Sequence, residues 1–174
     1  GHFLDKIEIN NILEWCKEKD INLILDESFL DFADDEHISM LSERVLCENS
    51  NLYVVKSISK SYGVPGLRLG ILASGNVDMI KVLKQTVPIW NINSLAEFFM
   101  QILDKYKNDY KNSLVKLRLE RIRFLKKLCQ IKGLKVYPSQ ANYFMCELLE
   151  KNSLEVAGAL LEDNILIKDL TSKI

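Results

Sequence analysis

With 174 residues and 48% hydrophobic content, the chain is long enough for one well-formed core or two small ones. Its formal net charge is -1, with both signs mixed along the sequence, so there is no electrostatic basis for binding nucleic acid or an anionic membrane. No apolar run approaches the roughly 20 residues of a membrane span, and the two histidines, His2 and His37, are too isolated to suggest a metal site.

The N-terminus enters an amphipathic pattern without the composition of a secretory leader. The run Ile21-Asn22-Leu23-Ile24-Leu25 then stops abruptly at Asp26 and Glu27. A short apolar run bounded by polar residues predicts a buried parallel strand. Ligands of open α/β sheets sit beyond the carboxyl ends of strands, which gives Asp26 a functional position. Taken alone, Asp26 reads first as a strand end that starts a turn, and the functional reading prevails only beside the lysine loop described below. Residues Asp34 to Asn49 carry a weaker helical pattern with Ile38, Leu41, Val45 and Leu46 on its apolar side, predicting a helical crossover or a short helix plus a loop.

A second strand, Leu52 to Lys56, leads into Ser57-Ile58-Ser59-Lys60-Ser61-Tyr62-Gly63-Val64-Pro65-Gly66-Leu67-Arg68-Leu69-Gly70. One lysine stands in a loop rich in hydroxyls, glycine and arginine. A lysine amine condenses with a carbonyl to a Schiff base, while small hydroxyls and an arginine fork suit phosphate oxygens. A polar surface turn would explain Gly63, Pro65 and Gly66, but not Ser57, Ser59, Lys60 and Arg68 together. Leu69 to Ala73 predicts another strand before Asn76 opens a helix.

Further along, Ser94-Leu95-Ala96-Glu97 has the form of a capping box. Apolar residues at helical spacing then run from Leu95 through Cys129, predicting two helices or one bent helix over about Ser94 to Lys132, with Gly133 as a stop. Short strands at Leu134 to Tyr137 and Asn142 to Glu147, a helix from Ser153 to Glu162 and a strand at Ile165 to Lys168 complete an α+β unit. Cys16, Cys47, Cys129 and Cys146 lie far apart in apolar patterns without a Cys-x-x-Cys pair, and read as reduced core thiols of a cytoplasmic protein.

The Ser57 to Gly70 segment resembles the lysine signature of the class I/II (fold type I) pyridoxal-phosphate-dependent aminotransferases, and the chain as a whole is most similar to the histidinol-phosphate aminotransferase and threonine-phosphate decarboxylase branch. The segments Ile89 to Ala96 and Pro138 to Phe144 are similar to that branch in order and spacing, with Trp90 and Tyr143 read as packing residues and Asn142 as either orienting the site or tying down a strand. The resemblance implies an α/β fold. Residues 3–107 would form the second half of a large, mostly parallel-sheet domain, and 108–174 a small α+β C-terminal domain truncated at its end. It implies pyridoxal 5'-phosphate as cofactor, with Lys60 and Asp26 catalytic and Asp26, Ser57, Ser59, Lys60 and Arg68 binding the cofactor. Asp26 would pair with the pyridine nitrogen and so keep the ring electron-poor.

On the same grounds the chain resembles a C-terminal fragment, inactive alone. The phosphate-gripping loop, stacking aromatic and asparagine that the family places before the aspartate, and the carboxylate-binding arginine it places near the end, all fall outside it. Phe29 departs from the tyrosine that many aminotransferases carry, since phenylalanine has no hydroxyl to donate, which leans toward the decarboxylase branch. The implied partner is a small amino acid or amine, handled by a homodimer in the full-length protein. Two other classes are a non-catalytic domain of a larger fused protein and a Rossmann-like nucleotide module. The latter lacks its Gly-x-Gly-x-x-Gly turn or Walker loop here.

Overall fold

The computed structural model describes residues 3–34 and 38–171; His2 and His37 lie outside them. Helix α1 (Lys6–Glu18) opens on a reciprocal capping box, in which the Glu8 N–H donates to the Asp5 carboxylate (2.8 Å) and the Asp5 N–H donates to the Glu8 carboxylate (2.9 Å). Its buried residues Ile9, Leu13 and Cys16 recur at helical spacing and form one apolar stripe.

Ile9 and Leu13 of that stripe meet one face of a three-stranded sheet. Strand β1 (Leu23–Asp26) runs parallel to β2 (Leu52–Ser57), and β3 (Gly70–Ser74) runs antiparallel on the other side of β2. Leu52 and Val54 share the core with Ile9, Leu13, Ile38 and Met40, while Leu23 and Leu25 pack beside them. In the parallel register Asp26 lies opposite Val55. Since side chains alternate along a strand, Asp26, Val55 and Ser57 therefore share the opposite face and leave the sheet at the same rim.

The crossover between β1 and β2 is mostly loop. Among its described residues, Leu30–Phe32 forms a 3-10 turn and α2 (Glu43–Glu48) is the α-helical part, capped by the Ser42 hydroxyl, which accepts from the Val45 N–H. Buried Glu27 holds the loop in place, since its carboxylate accepts from the Met40 N–H (2.6 Å) and the Ser39 hydroxyl (2.7 Å). Both carboxylate oxygens are thereby satisfied, as a buried anion requires. Gly75, between β3 and α4 (Val77–Thr86), passes so close to α2 that a Cβ there would lie 2.0 Å from the Leu46 carbonyl oxygen. Asn76 caps α4 as expected.

The second half departs from expectation at its edges. Helix α5 (Ser94–Ile102) is capped by Asn93 rather than Ser94; the Asn93 side chain accepts from the Ala96 N–H and also donates to the Leu67 carbonyl oxygen, so one residue serves both elements. A 3-10 turn (Leu103–Tyr106) joins α5 to α6 (Lys107–Leu128). Strand β4 (Leu134–Val136) follows Gly133, whose φ of +78° suits glycine, and pairs antiparallel with β5 (Cys146–Leu148). Helix α7 spans Ser153–Glu162, matching its sequence pattern. The strand expected at Ile165 to Lys168 is absent. Those residues pair with neither β4 nor β5, and Leu166 is 84% exposed.

The cysteines also differ from expectation. All four are free, but only Cys16 is in the core; Cys47, Cys129 and Cys146 are exposed. Among the described residues no helix is long and apolar enough to cross a membrane.

Candidate active site

Lys60 lies on a one-turn helix, α3 (Ile58–Ser61), that follows β2 directly. Its side chain is exposed at the sheet rim, with Nζ 4.5 Å from the centroid of the Phe29 ring. Phe29 is in turn met edge-on by Tyr143 (5.6 Å, 87°). An ammonium over an aromatic face is held by the ring quadrupole while remaining open to solvent. Tyr143 packs on Phe29 while remaining 49% exposed, and Trp90 is 91% exposed. Asn142 is exposed and lies outside β5.

Asp26 ends β1 on the same rim. Its Oδ1 accepts from the Ser28 N–H (2.8 Å). Hydrogen bonding from Ser28 holds the Asp26 carboxyl below the usual range against the opposing effect of burial, and the nearby Lys60 charge adds to it. Asp26 is therefore an anion at neutral pH, within electrostatic reach of Lys60. The Ser28 hydroxyl accepts from the Ser57 N–H (2.9 Å), joining the turn after β1 to the start of the lysine loop. The Ser57 hydroxyl has no hydrogen-bond partner among the described residues, and does not cap α3.

Arg68 follows a 3-10 turn (Pro65–Leu67) with φ +56° and ψ +39°. Asp20 and Asn164 also have positive φ, but their short polar side chains tolerate that backbone, whereas an arginine there is strained. Its neighbours explain how it stays. Asn93 holds the Leu67 carbonyl oxygen at 3.0 Å, and the Ser59 hydroxyl both accepts from the Leu69 N–H (3.0 Å) and donates to the Leu69 carbonyl (3.3 Å). Arg68 is thus clamped on both sides and presented outward, exposed, with neither hydrogen bond nor ion pair among the described residues. Ser59, also expected at the cofactor, is 4% exposed, and its hydroxyl is engaged by the Leu69 backbone beside Arg68.

A cavity of about 310 Å³ opens beside this rim, lined by Asp26, Phe29, Leu25, Glu27, Gln140 and Tyr143 among others. Lys60, Ser57 and Arg68 are not part of its wall. The charged and hydroxyl groups therefore stand on an open edge, not inside an enclosed pocket.

Sequence reasoning missed a second set of polar residues behind the loop. Asp31 pairs with Lys56 (2.5 Å) and accepts from the Tyr110 hydroxyl (2.7 Å), while Arg118 donates to its carbonyl oxygen (3.1 Å). Burial alone would raise the Asp31 pKa, but the hydrogen bonds from Lys56 and Tyr110 prevail and hold it low. Burial likewise pushes the Tyr110 phenol well above its ordinary value. Arg121, 7% exposed, donates to the carbonyls of Phe32 (2.7 Å) and Gln140 (2.6 Å) and to Asp34 (2.5 Å). The readable signals were charged residues on otherwise apolar faces: Asp31 between Leu30 and Phe32, and Arg121 seven residues after Leu114 on one side of α6.

The sequence profile of the family described as "Aminotransferase class I and II" matches residues 1–172. The chain belongs to that family. It is 35% identical over 158 residues to threonine-phosphate decarboxylase of Salmonella typhimurium, covering 90% of this chain and 42% of that protein. It is 30% identical over 172 residues to histidinol-phosphate aminotransferase of Ruminiclostridium cellulolyticum, covering 99% and 45%. The crystal structure of histidinol-phosphate aminotransferase from Clostridium acetobutylicum superposes with a TM-score of 0.91 at 27% identity, covering all of this chain and 52% of that one. The chain thus has the fold of part of a type I aminotransferase, as its resemblance implied, and spans about half the length of these relatives. The enzymes of this family depend on pyridoxal 5'-phosphate.

Proposed function

We propose that this chain is the lysine-bearing part of a pyridoxal 5'-phosphate-dependent enzyme that transfers the amino group of a small amino acid or amino phosphate. The observation that carries the reading is the shared rim of Lys60 and Asp26, an amine and an anion at the ends of adjacent parallel strands. The unpartnered Arg68 guanidinium and Ser57 hydroxyl on the same loop complete a donor set that suits the cofactor's aldehyde, ring nitrogen and phosphate.

When bound, the cofactor supplies an electron-poor ring that accepts the electrons released at a substrate carbon. The Asp26 carboxylate, anionic at neutral pH, would hold the ring nitrogen. Lys60 Nζ would anchor the aldehyde group and, when free, would serve as the base and acid that moves a proton at the substrate carbon. Arg68 and Ser57 would hold the phosphate, with Ser59 keeping Arg68 in place. Phe29 and Tyr143 form the apolar wall against which the Lys60 stem rests.

A second reading, decarboxylation of a phosphorylated amino acid, is favoured by Phe29, whose ring offers no hydroxyl to a bound cofactor. The same proposal includes a division at residue 107, where α6 begins, and a cytoplasmic setting, which four free cysteines suit. It also includes a homodimer, for which the exposed Ile89 and Trp90 offer apolar surface; sedimentation of the intact protein measures it.

The test is to mix the intact protein with pyridoxal 5'-phosphate, reduce with borohydride and map the adduct by mass spectrometry, with Lys60→Ala as control. Selective labelling of Lys60 and loss of turnover in the variant are expected. Unchanged turnover in Lys60→Ala would overturn the assignment, and absence of cofactor binding would favour a non-catalytic domain within a larger protein. Assaying phosphorylated amino acids with and without a keto-acid acceptor separates amino transfer from carbon dioxide release.

A further inference from the structure

Helix α3 has only four residues and no side-chain cap, far too short to persist by its own hydrogen bonds. Yet the chain on each side of it is held from outside. Upstream, the ammonium of Lys56 meets Asp31 Oδ1 at 2.5 Å, with both side chains 16% exposed. Downstream, the Tyr62 ring lies flat on Tyr110, centroids 3.9 Å apart and planes 8° from parallel. The Tyr110 hydroxyl donates to Asp31 Oδ2 at 2.7 Å, which closes the circuit. Lys56, Asp31, Tyr110 and Tyr62 thus form a ring of contacts in which the segment from Ser57 to Ser61 is the remaining arc, with Lys60 at its outer edge.

We infer that Asp31 and Tyr110 are positioning residues that fix the turn carrying Lys60 by clamping the chain before and after it, and that Tyr110 makes the rigidity of this turn depend on the docking of α6. The meaning of that rigidity for catalysis rests on the function proposed above; the clamp itself does not. Each Asp31 oxygen has a different partner, so neither bond replaces the other. Hydrogen bonds to a charged group are stronger than neutral ones, and loss of the Asp31 charge leaves Lys56 largely buried without its counter-ion. Tyr62 has a second aromatic neighbour in Phe99 (6.3 Å, 84°), which keeps its ring in the stacking orientation.

The clamp is tested by amide hydrogen exchange on the intact, cofactor-free protein. The probes are the N–H groups of Tyr62, Gly63 and Val64, which bond back to Ile58, Lys60 and Ser59 across the turn. Tyr110→Phe keeps the stacked ring and removes only the hydroxyl. It is expected to raise exchange at these three amides about tenfold, with no change in α1 around Leu13. Asp31→Asn should raise it further and Asp31→Glu recover part of the loss. Unchanged exchange at the three amides in Tyr110→Phe would overturn the inference, as would an equal rise in α1, which marks general destabilisation. If Asp31→Asn fails to fold, Tyr110→Phe decides alone. A second readout is the share of borohydride-trapped label at Lys60 among all lysines at limiting pyridoxal 5'-phosphate, expected to fall severalfold in both variants. Absence of a Lys60 preference in the unaltered protein would count against the proposed function and leave the exchange result to judge the clamp.

Discussion

The sheet region and the region after α6 begins are held together by different means. The first closes a core in which Leu13, Met40, Leu52 and Val54 are no more than 2% exposed. Between residues 108 and 171, only Leu114, Arg121 and Ala141 are buried, and one of those three is a charged side chain. Helix α7 buries nothing and leaves Leu154 and Leu161 62% and 58% exposed. The contrast shows that a helix can be fully legible from caps and spacing without this chain supplying what its apolar side packs against. Across the seam between the regions, Arg118 and Arg121 donate to the carbonyls of Asp31 and Phe32, and Tyr110 and Tyr143 stack on or meet the rings of Tyr62 and Phe29.

Leu13→Ala strikes the packed region hardest. A fully buried leucine leaves a cavity costing about 3–4 kcal/mol, read as a cooperative drop in Tm. Arg121→Met should cost about 2–3 kcal/mol, since the carbonyls of Phe32 and Gln140 lose their donor. Its signature is early proteolysis after residue 107 while α1 stays protected. The same seam is expected to weaken in acid. The folded-state pKa of Asp31 is depressed, so its contribution is complete above the ordinary carboxylate value of 3.8 and is lost as pH falls through the lower value. A pH titration of stability should show that loss below about pH 4, and Asp31→Asn should remove it. Asp5→Ala, at the α1 capping box, is expected to cost about 1 kcal/mol. Leu161→Ser should shift stability by no more than about 0.5 kcal/mol; a large loss would show that α7 is covered in the intact protein and narrow the contrast.

Local signals carried the legible part of the fold. The apolar run Leu52 to Val55, Asn76 at the start of α4 and the span Ser153 to Glu162 each specify an element through neighbours in sequence, and each was found in place. Ile165 to Lys168 was misread because a strand needs a partner, and none lies beside it among the described residues. At the candidate site, the loop and the strand end were readable, since Lys60 and Asp26 declare their chemistry by residue type. The use of each hydroxyl was not. Nothing in Ser57-Ile58-Ser59 tells which serine turns inward to hold Leu69 and which stays unpartnered. Asp31, Tyr110 and Arg121 escaped for the same reason, because their partners are 19 to 89 positions away.

The left-handed backbone at Arg68 sets two demands on one residue against each other. Glycine would adopt that conformation at no steric cost, so a screen for heat tolerance alone is expected to favour Arg68→Gly. The same change would delete the only guanidinium on the lysine loop. Thermal hardiness and anion capture therefore pull this position in opposite directions, and any laboratory evolution of the protein will show at residue 68 which of the two was being selected.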